Sequence, residues 1–381
     1  MSGGLGERIA GLARGSRFLP RSRGQWLMAA GGLLGAAALA IASTCLLGGC
    51  GTLAYYGQAV GGHLGIVTKS RAVSSWIEDG ATPAELRARL ELSQRMRDFA
   101  VAELKLPDNR SYRSYADLGR NAVVYNVVAA PELSFTLKTW CFAVVGCVGY
   151  RGYFDRAPAE ALAAELKAQG WETNVYGVPA YSTLGKTEWL GGDPLLNTFI
   201  RWPEGELARL IFHELAHQVA YADDDTAFNE SFATAVERIG GQRWLERHAS
   251  AEARAEYAAL DARRNDFRAL VGRYRESLAT VYASHIPDDE KRQRKAVLMQ
   301  SMRDEYARMK AERWGGFAGY DGWFERANNA ALGIQASYNE LVPQFERLFA
   351  KSGGDFERFY AEVRTLAALP KAERRAKLAA P

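Results

Sequence analysis

The sequence predicts an α+β protein in which a small sheet leads into a mainly helical domain. Three observations carry this. Between Ala122 and Trp202, β-branched and aromatic runs (Val123 to Val128, Phe142 to Val148, Val175 to Tyr181) are broken by Gly and Pro, the composition of short strands. After Pro203, long stretches rich in Ala, Arg, Glu and Leu, from Gln242 to Ser284 and from Glu290 to Trp314, carry a helical pattern. Residues Thr82 to Leu104 read as a further helix, opened by Thr82-Pro83-Ala84-Glu85 as an N-cap signal.

The first element is an export signal. Arg8, Arg14, Arg17, Arg21 and Arg23 precede an apolar run from Trp26 to Leu47, followed by Gly48-Gly49-Cys50. A positive region, an apolar core and small residues before a cut are the parts of a secretory signal. The ending Leu47-Gly48-Gly49-Cys50 resembles the bacterial lipobox, which implies that Cys50 is lipidated and becomes the first mature residue. A plain signal anchor, of marginal length for a membrane span, is the alternative. The expected location is the bacterial cell envelope, with the chain lipid-anchored on the periplasmic face of the outer membrane.

Removing residues 1–49 changes the charge balance. The chain holds 48 Lys and Arg against 44 Asp and Glu; the signal takes five arginines and Glu7, which leaves 43 of each. A neutral mature chain without a basic stripe argues against nucleic acid as a partner. The membrane is reached through the lipid. Of four cysteines, only Cys141 and Cys147 remain in the folded part. An oxidising periplasm permits a disulfide between them, provided that the chain reverses within Phe142 to Gly146; two unlinked cysteines in an apolar stretch are the alternative.

Past Pro203 comes the stretch that speaks to chemistry, His213-Glu214-Leu215-Ala216-His217. Two histidines four residues apart on a helix point the same way and can share one Zn²⁺. The uncharged flanks Leu210, Ile211, Phe212, Leu215, Ala216, Val219 and Ala220 let that helix be buried. A catalytic zinc takes three protein ligands, so one more is required. A histidine at position 223 would make a metzincin, but the residue is Asp223. Asn229 to Glu237 instead has the apolar spacing of a second helix, and Tyr221 to Phe228 reads as the turn between, its Asp223-Asp224-Asp225 a solvated acidic turn.

His-Glu-x-x-His followed by Asn229-Glu230-x-Phe232-Ala233-x-x-x-Glu237 resembles the gluzincin metallopeptidases. The resemblance implies His213, His217 and Glu230 as zinc ligands and Glu214 as general base. More widely, Gly146 to Phe154, Ala180 to Gly185, Phe212 to Gln218, Asn328-Asn329-Ala330 and Tyr338 to Pro343 are similar to the bacterial lipoprotein family called putative aminopeptidases. The expected fold is accordingly a gluzincin-like zinc metallopeptidase, and the expected partner is a peptide substrate. Twelve residues separate His217 from Glu230, a shorter link than the thermolysin-like enzymes use. The turn must be tight, and Asp223, Asp224 and Asp225 stay open as rival ligands.

Glu237 stands two helical turns past Glu230, on the same face, where it can accept the free N–H of a zinc-bound histidine; a surface pair with Arg238 or Arg243 is the alternative. Tyr338 is the candidate donor for a developing oxyanion, with His285 second. Ala180 to Gly185, up to Asp193-Pro194, is placed to be a substrate-pairing edge strand or an ordinary core strand. Glu188 or Asp193 is the candidate carboxylate for a substrate α-amine. The expected organisation is a signal at 1–49, an N-terminal helical segment at 50–121, a strand-rich subdomain at 122–202, a helical zinc-binding domain at 203–370 and a frayed charged tail at 371–381. An endopeptidase or a non-catalytic lipoprotein scaffold would share these features.

Overall fold

The computed structural model describes residues 50–142, 146–180, 183, 191–223, 225–337 and 341–380. The expected signal, Tyr338, Glu188, Asp224 and most of the expected edge strand lie outside them. The chain divides into Met1–Val60 and Gly61–Pro381, with α1 (Cys50–Lys69) beginning in the first unit and ending in the second. Then come β1 (Arg71–Ala72), α2 (Val73–Glu78), α3 (Ala84–Ala102), β2 (Ser114–Ala116), β3 (Val124–Pro131), β4 (Trp140–Phe142), β5 (Gly146–Val148), β6 (Arg151–Tyr153), α4 (Arg156–Ala168), β7 (Trp171–Val178) and β8 (Leu195–Leu196). The helical part follows as α5 (Glu204–Ala216), α6 (Thr226–His248), α7 (Ala251–Ala283), α8 (Asp288–Glu312), α9 (Asp321–Arg326), α10 (Asn329–Ser337), α11 (Val342–Lys351), α12 (Phe356–Ala367) and α13 (Lys371–Ala379). The architecture is α+β and mainly helical. No helix among the described residues is long and apolar enough to cross a membrane.

The strand-rich part is a sheet in the order β6-β3-β7, antiparallel throughout. In β3, every residue from Asn126 to Ala130 is buried. Alternation therefore sends one set of side chains to each covered face, as expected of a strand with helices on both sides. Val128 and Ala130 pack with Ala330 and Ile334 of α10. The other face is covered by α4, which the sequence reading left out of this region. Its buried Ala159, Ala163 and Leu166 recur at helical spacing, but they sit between strands and were overshadowed by them. Beside this sheet, β4 and β5 pair with Cys141 opposite Cys147, and the two are joined in a disulfide.

The N-terminal segment is not purely helical. β1 and β2 pair antiparallel, and β2 runs parallel to β8 with Tyr115 opposite Leu195. This small second sheet ties residues 71–116 to the chain just before the helix that carries His213 and His217.

The main core is built on α5 and α6. Phe99 of α3 meets Phe212 of α5 at 5.9 Å and Trp244 of α6 at 5.4 Å between ring centroids. Phe232 of α6 meets Phe345 of α11 and Phe359 of α12 at 5.7 and 5.8 Å. Burying such a side chain contributes about 1.5–3 kcal/mol each, so five helices are held around the site by apolar contact. A second cluster, around Phe267, Met302, Tyr306, Trp314 and Phe324, holds the α7–α8 hairpin and α9. The long helical stretch from Gln242 is two helices, because Ser250 caps a new one by accepting the Ala253 N–H at 3.2 Å.

Two expectations at the ends of the helical part are corrected. Residues 371–379 form α13 instead of fraying, with Arg374 and Leu378 buried. The acidic turn is only partly solvated: Asp223 is exposed, but Asp225 is buried and pairs with Arg374 at 3.0 Å and Arg375 at 2.5 Å. Asp225 also caps α6 by accepting the Phe228 N–H at 3.2 Å. The C-terminal helix is thereby bolted to the start of the helix that carries Glu230.

Candidate metal centre and active site

Helix α5 brings His213 into its last turn and ends with His217 at its C-cap. The two imidazoles stand edge to face, 4.8 Å between centroids, with their Nε2 atoms 3.2 Å apart. α6 presents Glu230, whose Oε2 is 3.4 Å from His213 Nε2 and 3.8 Å from His217 Nε2. Among the described residues, these three form the group able to hold a metal ion, all donor atoms lying within 4.8 Å of one another. The rival ligands are elsewhere: Asp225 is occupied by its two arginines, Asp223 is exposed and Asp224 lies outside the described residues.

The tight turn between the helices is closed by Asn229. Its side-chain amide makes both hydrogen bonds to the backbone of Ala222, accepting from the N–H and donating to the carbonyl, each at 2.8 Å. That double clamp lets twelve residues suffice between His217 and Glu230. It also gives the Asn of the second motif a backbone role.

Behind His213, Glu237 Oε2 is 3.0 Å from Nδ1, and Glu237 Oε1 accepts from Arg209. The alternative partners are engaged elsewhere, Arg238 with Glu346 and Arg243 with the Gly354 carbonyl. Burial alone would raise the Glu237 carboxyl, but Arg209 and then His213 outweigh it and bring its pKa down to about 2. Burial also opposes a charge on His213, yet its hydrogen bonds to Glu230 and Glu237 raise it well above the usual imidazole range. His217 is pushed down to about 4, chiefly by burial. Glu230 is drawn below its ordinary value, burial being outweighed by the two histidines.

Glu214 follows His213 directly and is not one of the three. Burial, with added repulsion from Glu230 and Asp193, pushes its pKa up to about 7, although His213 pulls the other way. A carboxyl poised there takes or gives a proton near neutral pH, as a general acid–base group must.

Several participants were not legible in the sequence. Ser111 and Asn109 form a polar floor: Gln218, next to His217, accepts from Asn109 Nδ2 at 2.6 Å and donates to Ser111 Oγ at 3.2 Å. The same Ser111 hydroxyl accepts the Asp193 N–H at 3.2 Å. The following Tyr112 holds a left-handed backbone, φ +64°, and its N–H reaches the Asp193 carbonyl at 2.6 Å. Asp193 is buried, and its Oδ2 accepts the Thr183 N–H at 3.0 Å, a fold-holding contact for a residue considered as an amine binder.

The sheet contributes phenols. Tyr176 stands opposite Asn126 in β3, and Gly152 of β6 is also opposite Asn126. Tyr150, two residues before Gly152, packs on the same apolar cluster as Tyr176. Burial raises the Tyr150 phenol well above its usual value, and Glu230, Tyr221, Tyr176 and Glu214 push it further. Tyr338 lies outside the described residues, although Leu341, three residues on, donates its N–H to Ser231 Oγ at 3.2 Å beside Glu230. His285 is exposed between α7 and α8, and His248 is stacked on Trp244 at 4.6 Å.

No curated protein and no solved structure matches the chain. A family described as "Putative aminopeptidase" matches residues 54–378, a span that contains every residue of the site described above. The chain therefore belongs to the putative aminopeptidase family.

Proposed function

We propose that the protein is a zinc-dependent peptidase of the gluzincin type, an aminopeptidase by its family, lipid-anchored at Cys50 in a bacterial envelope after removal of residues 1–49. The carrying observation is the donor triangle of His213, His217 and Glu230, with edges of 3.2, 3.4 and 3.8 Å. Two ligands about 2.0–2.1 Å from a shared tetrahedral centre stand roughly 3.3 Å apart, so the triangle has the size that a zinc ion requires. The donor set, two imidazoles and one carboxylate, is that of catalytic rather than structural zinc. The Cys141–Cys147 disulfide is compatible with an oxidising compartment.

When bound, zinc lowers the pKa of water to about 7 and polarises a carbonyl. The rest belongs to the chain. His213, His217 and Glu230 hold the ion. Glu214, poised near neutrality by burial, takes the proton of the attacking water and delivers it to the leaving amine, so the peptide bond is cut without an acyl-enzyme. A donor is needed where negative charge develops on the carbonyl oxygen. Tyr150 is the phenol we assign to that task, and Tyr338 is its competitor. The apolar packing of α5 and α6 keeps bulk water from the carboxylates and strengthens each of these interactions.

The test is mass spectrometry of a peptide library incubated with the zinc-loaded protein, with Glu214→Gln as control. Loss of single N-terminal residues that vanishes in the variant supports the aminopeptidase. Internal cuts that vanish would make the protein an endopeptidase. Identical products from both proteins would sink the peptidase reading and favour a binding role.

A further inference from the structure

Arg209 is one helical turn before His213 on α5, so Arg209, His213 and His217 share a stripe of one helix. An arginine among apolar residues is out of place, and its side chain is only 6% exposed. It donates through Nη2 to Glu237 Oε1, while the other oxygen of that carboxylate is 3.0 Å from His213 Nδ1. Through Nη1 it reaches the Tyr257 hydroxyl of α7 at 3.3 Å, with the guanidinium 5.9 Å from the centre of that ring. Two glycines make room for this. A Cβ at Gly241 would meet Arg209 Cγ at 2.8 Å, and one at Gly205 would meet Tyr257 Cδ2 at 2.4 Å.

A buried ion pair is a poor source of stability, because desolvating both charges offsets their attraction. What an arginine adds over a lysine is direction: its planar fork fixes the plane of the carboxylate it grips. We infer that Arg209 is a positioning residue of the metal centre, turning Glu237 so that the carboxylate accepts the Nδ1 proton of His213 and leaves its Nε2 lone pair facing His217 and Glu230. Tyr257 braces the guanidinium from α7. The chain of contact thus runs from the helical hairpin through Arg209 and Glu237 to a metal ligand, and partners of this kind tune metal affinity as well as orientation. The inference rests on the zinc reading.

It is tested by zinc affinity, measured by competition with a chromogenic chelator, for wild type, Arg209→Met and Arg209→Lys, together with the thermal midpoint of each without zinc. Arg209→Met is expected to bind zinc about 10–100-fold more weakly, and Arg209→Lys, which keeps the charge but not the fork, falls between. A merely structural arginine would lower the midpoint and leave zinc affinity unchanged in the folded protein, and that result overturns the inference. If Arg209→Met does not fold, Arg209→Lys decides on the same criterion: weaker binding supports the inference and wild-type binding overturns it. A wild-type protein that takes up no zinc defeats the zinc reading itself, an outcome distinct from variants that bind as tightly as a zinc-binding wild type.

Discussion

Two helix pairs in this molecule face opposite demands. α5 and α6 lie in the main core, yet they carry His213, His217, Glu230, Glu237 and Arg209 among Phe212, Leu215, Phe228 and Phe232. α7 and α8, of 33 and 25 residues, fully bury only Phe267, Leu270, Val271, Leu278, Met299, Met302 and Tyr306, and their charged side chains are exposed or half-buried. Polar groups that keep access to water cost little on the second pair. On the first, each must find a partner or be neutralised, and each does so with another member of the same cluster. Buried ionisable groups also serve the fold, as Asp225 and Arg374 do, but several that converge on one point mark a candidate functional site.

The comparison can be broken at several points. On the proposed mechanism, Glu214→Gln removes the general base and leaves fold and zinc binding intact, so turnover of a scissile peptide should fall by about 10²–10⁴-fold. A variant that kept wild-type turnover would return the buried carboxyl to a structural role. Asp225→Asn keeps the helix cap but leaves Arg374 buried beside a neutral partner, and should cost about 3–5 kcal/mol in urea unfolding. The sign of its pH dependence follows from the ordinary value of 3.8, below which Arg375 and Arg374 hold the carboxyl against the effect of burial. The carboxylate's stabilisation is fully present above 3.8 and is lost as the pH falls through the folded value. The gap between wild type and Asp225→Asn should therefore narrow in acid; a gap that widened there would contradict the ion-pair account.

Smaller effects belong to the periphery. Replacing Cys141 and Cys147 by Ser opens a short loop and should cost about 2 kcal/mol on loop-closure grounds, read as a shift in urea midpoint. On the second helix pair, Arg273→Ala breaks the exposed bridge to Glu305 and should change stability by no more than about 1 kcal/mol. A loss there as large as that of Asp225→Asn would erase the distinction between the two pairs.

The two histidines, Glu230 and Glu237 were legible because their spacing is local: offsets of four from His213 to His217 and of seven from Glu230 to Glu237 are helix arithmetic. Arg209 obeys the same arithmetic, four residues before His213, but an arginine on a helix reads as solvated until its partner is known. Asp225 was hidden by its neighbours, since three aspartates in a row look like a wet turn while one of them caps a helix and receives two arginines from a segment 149 residues on. Tyr150, Ser111 and Asn109 reach the site by strand register and loop packing, which are non-local. Helix α4 was obscured because its small apolar stripe of Ala159, Ala163 and Leu166 lies between two strong strand signals.

The most direct measurement is the zinc content of wild type and Glu230→Gln after saturation and dialysis, by elemental mass spectrometry. The account predicts one zinc per chain in wild type and its loss in the variant, because His213 and His217 alone complete only two of the three protein positions. A full zinc complement in Glu230→Gln, or none in wild type, would contradict it.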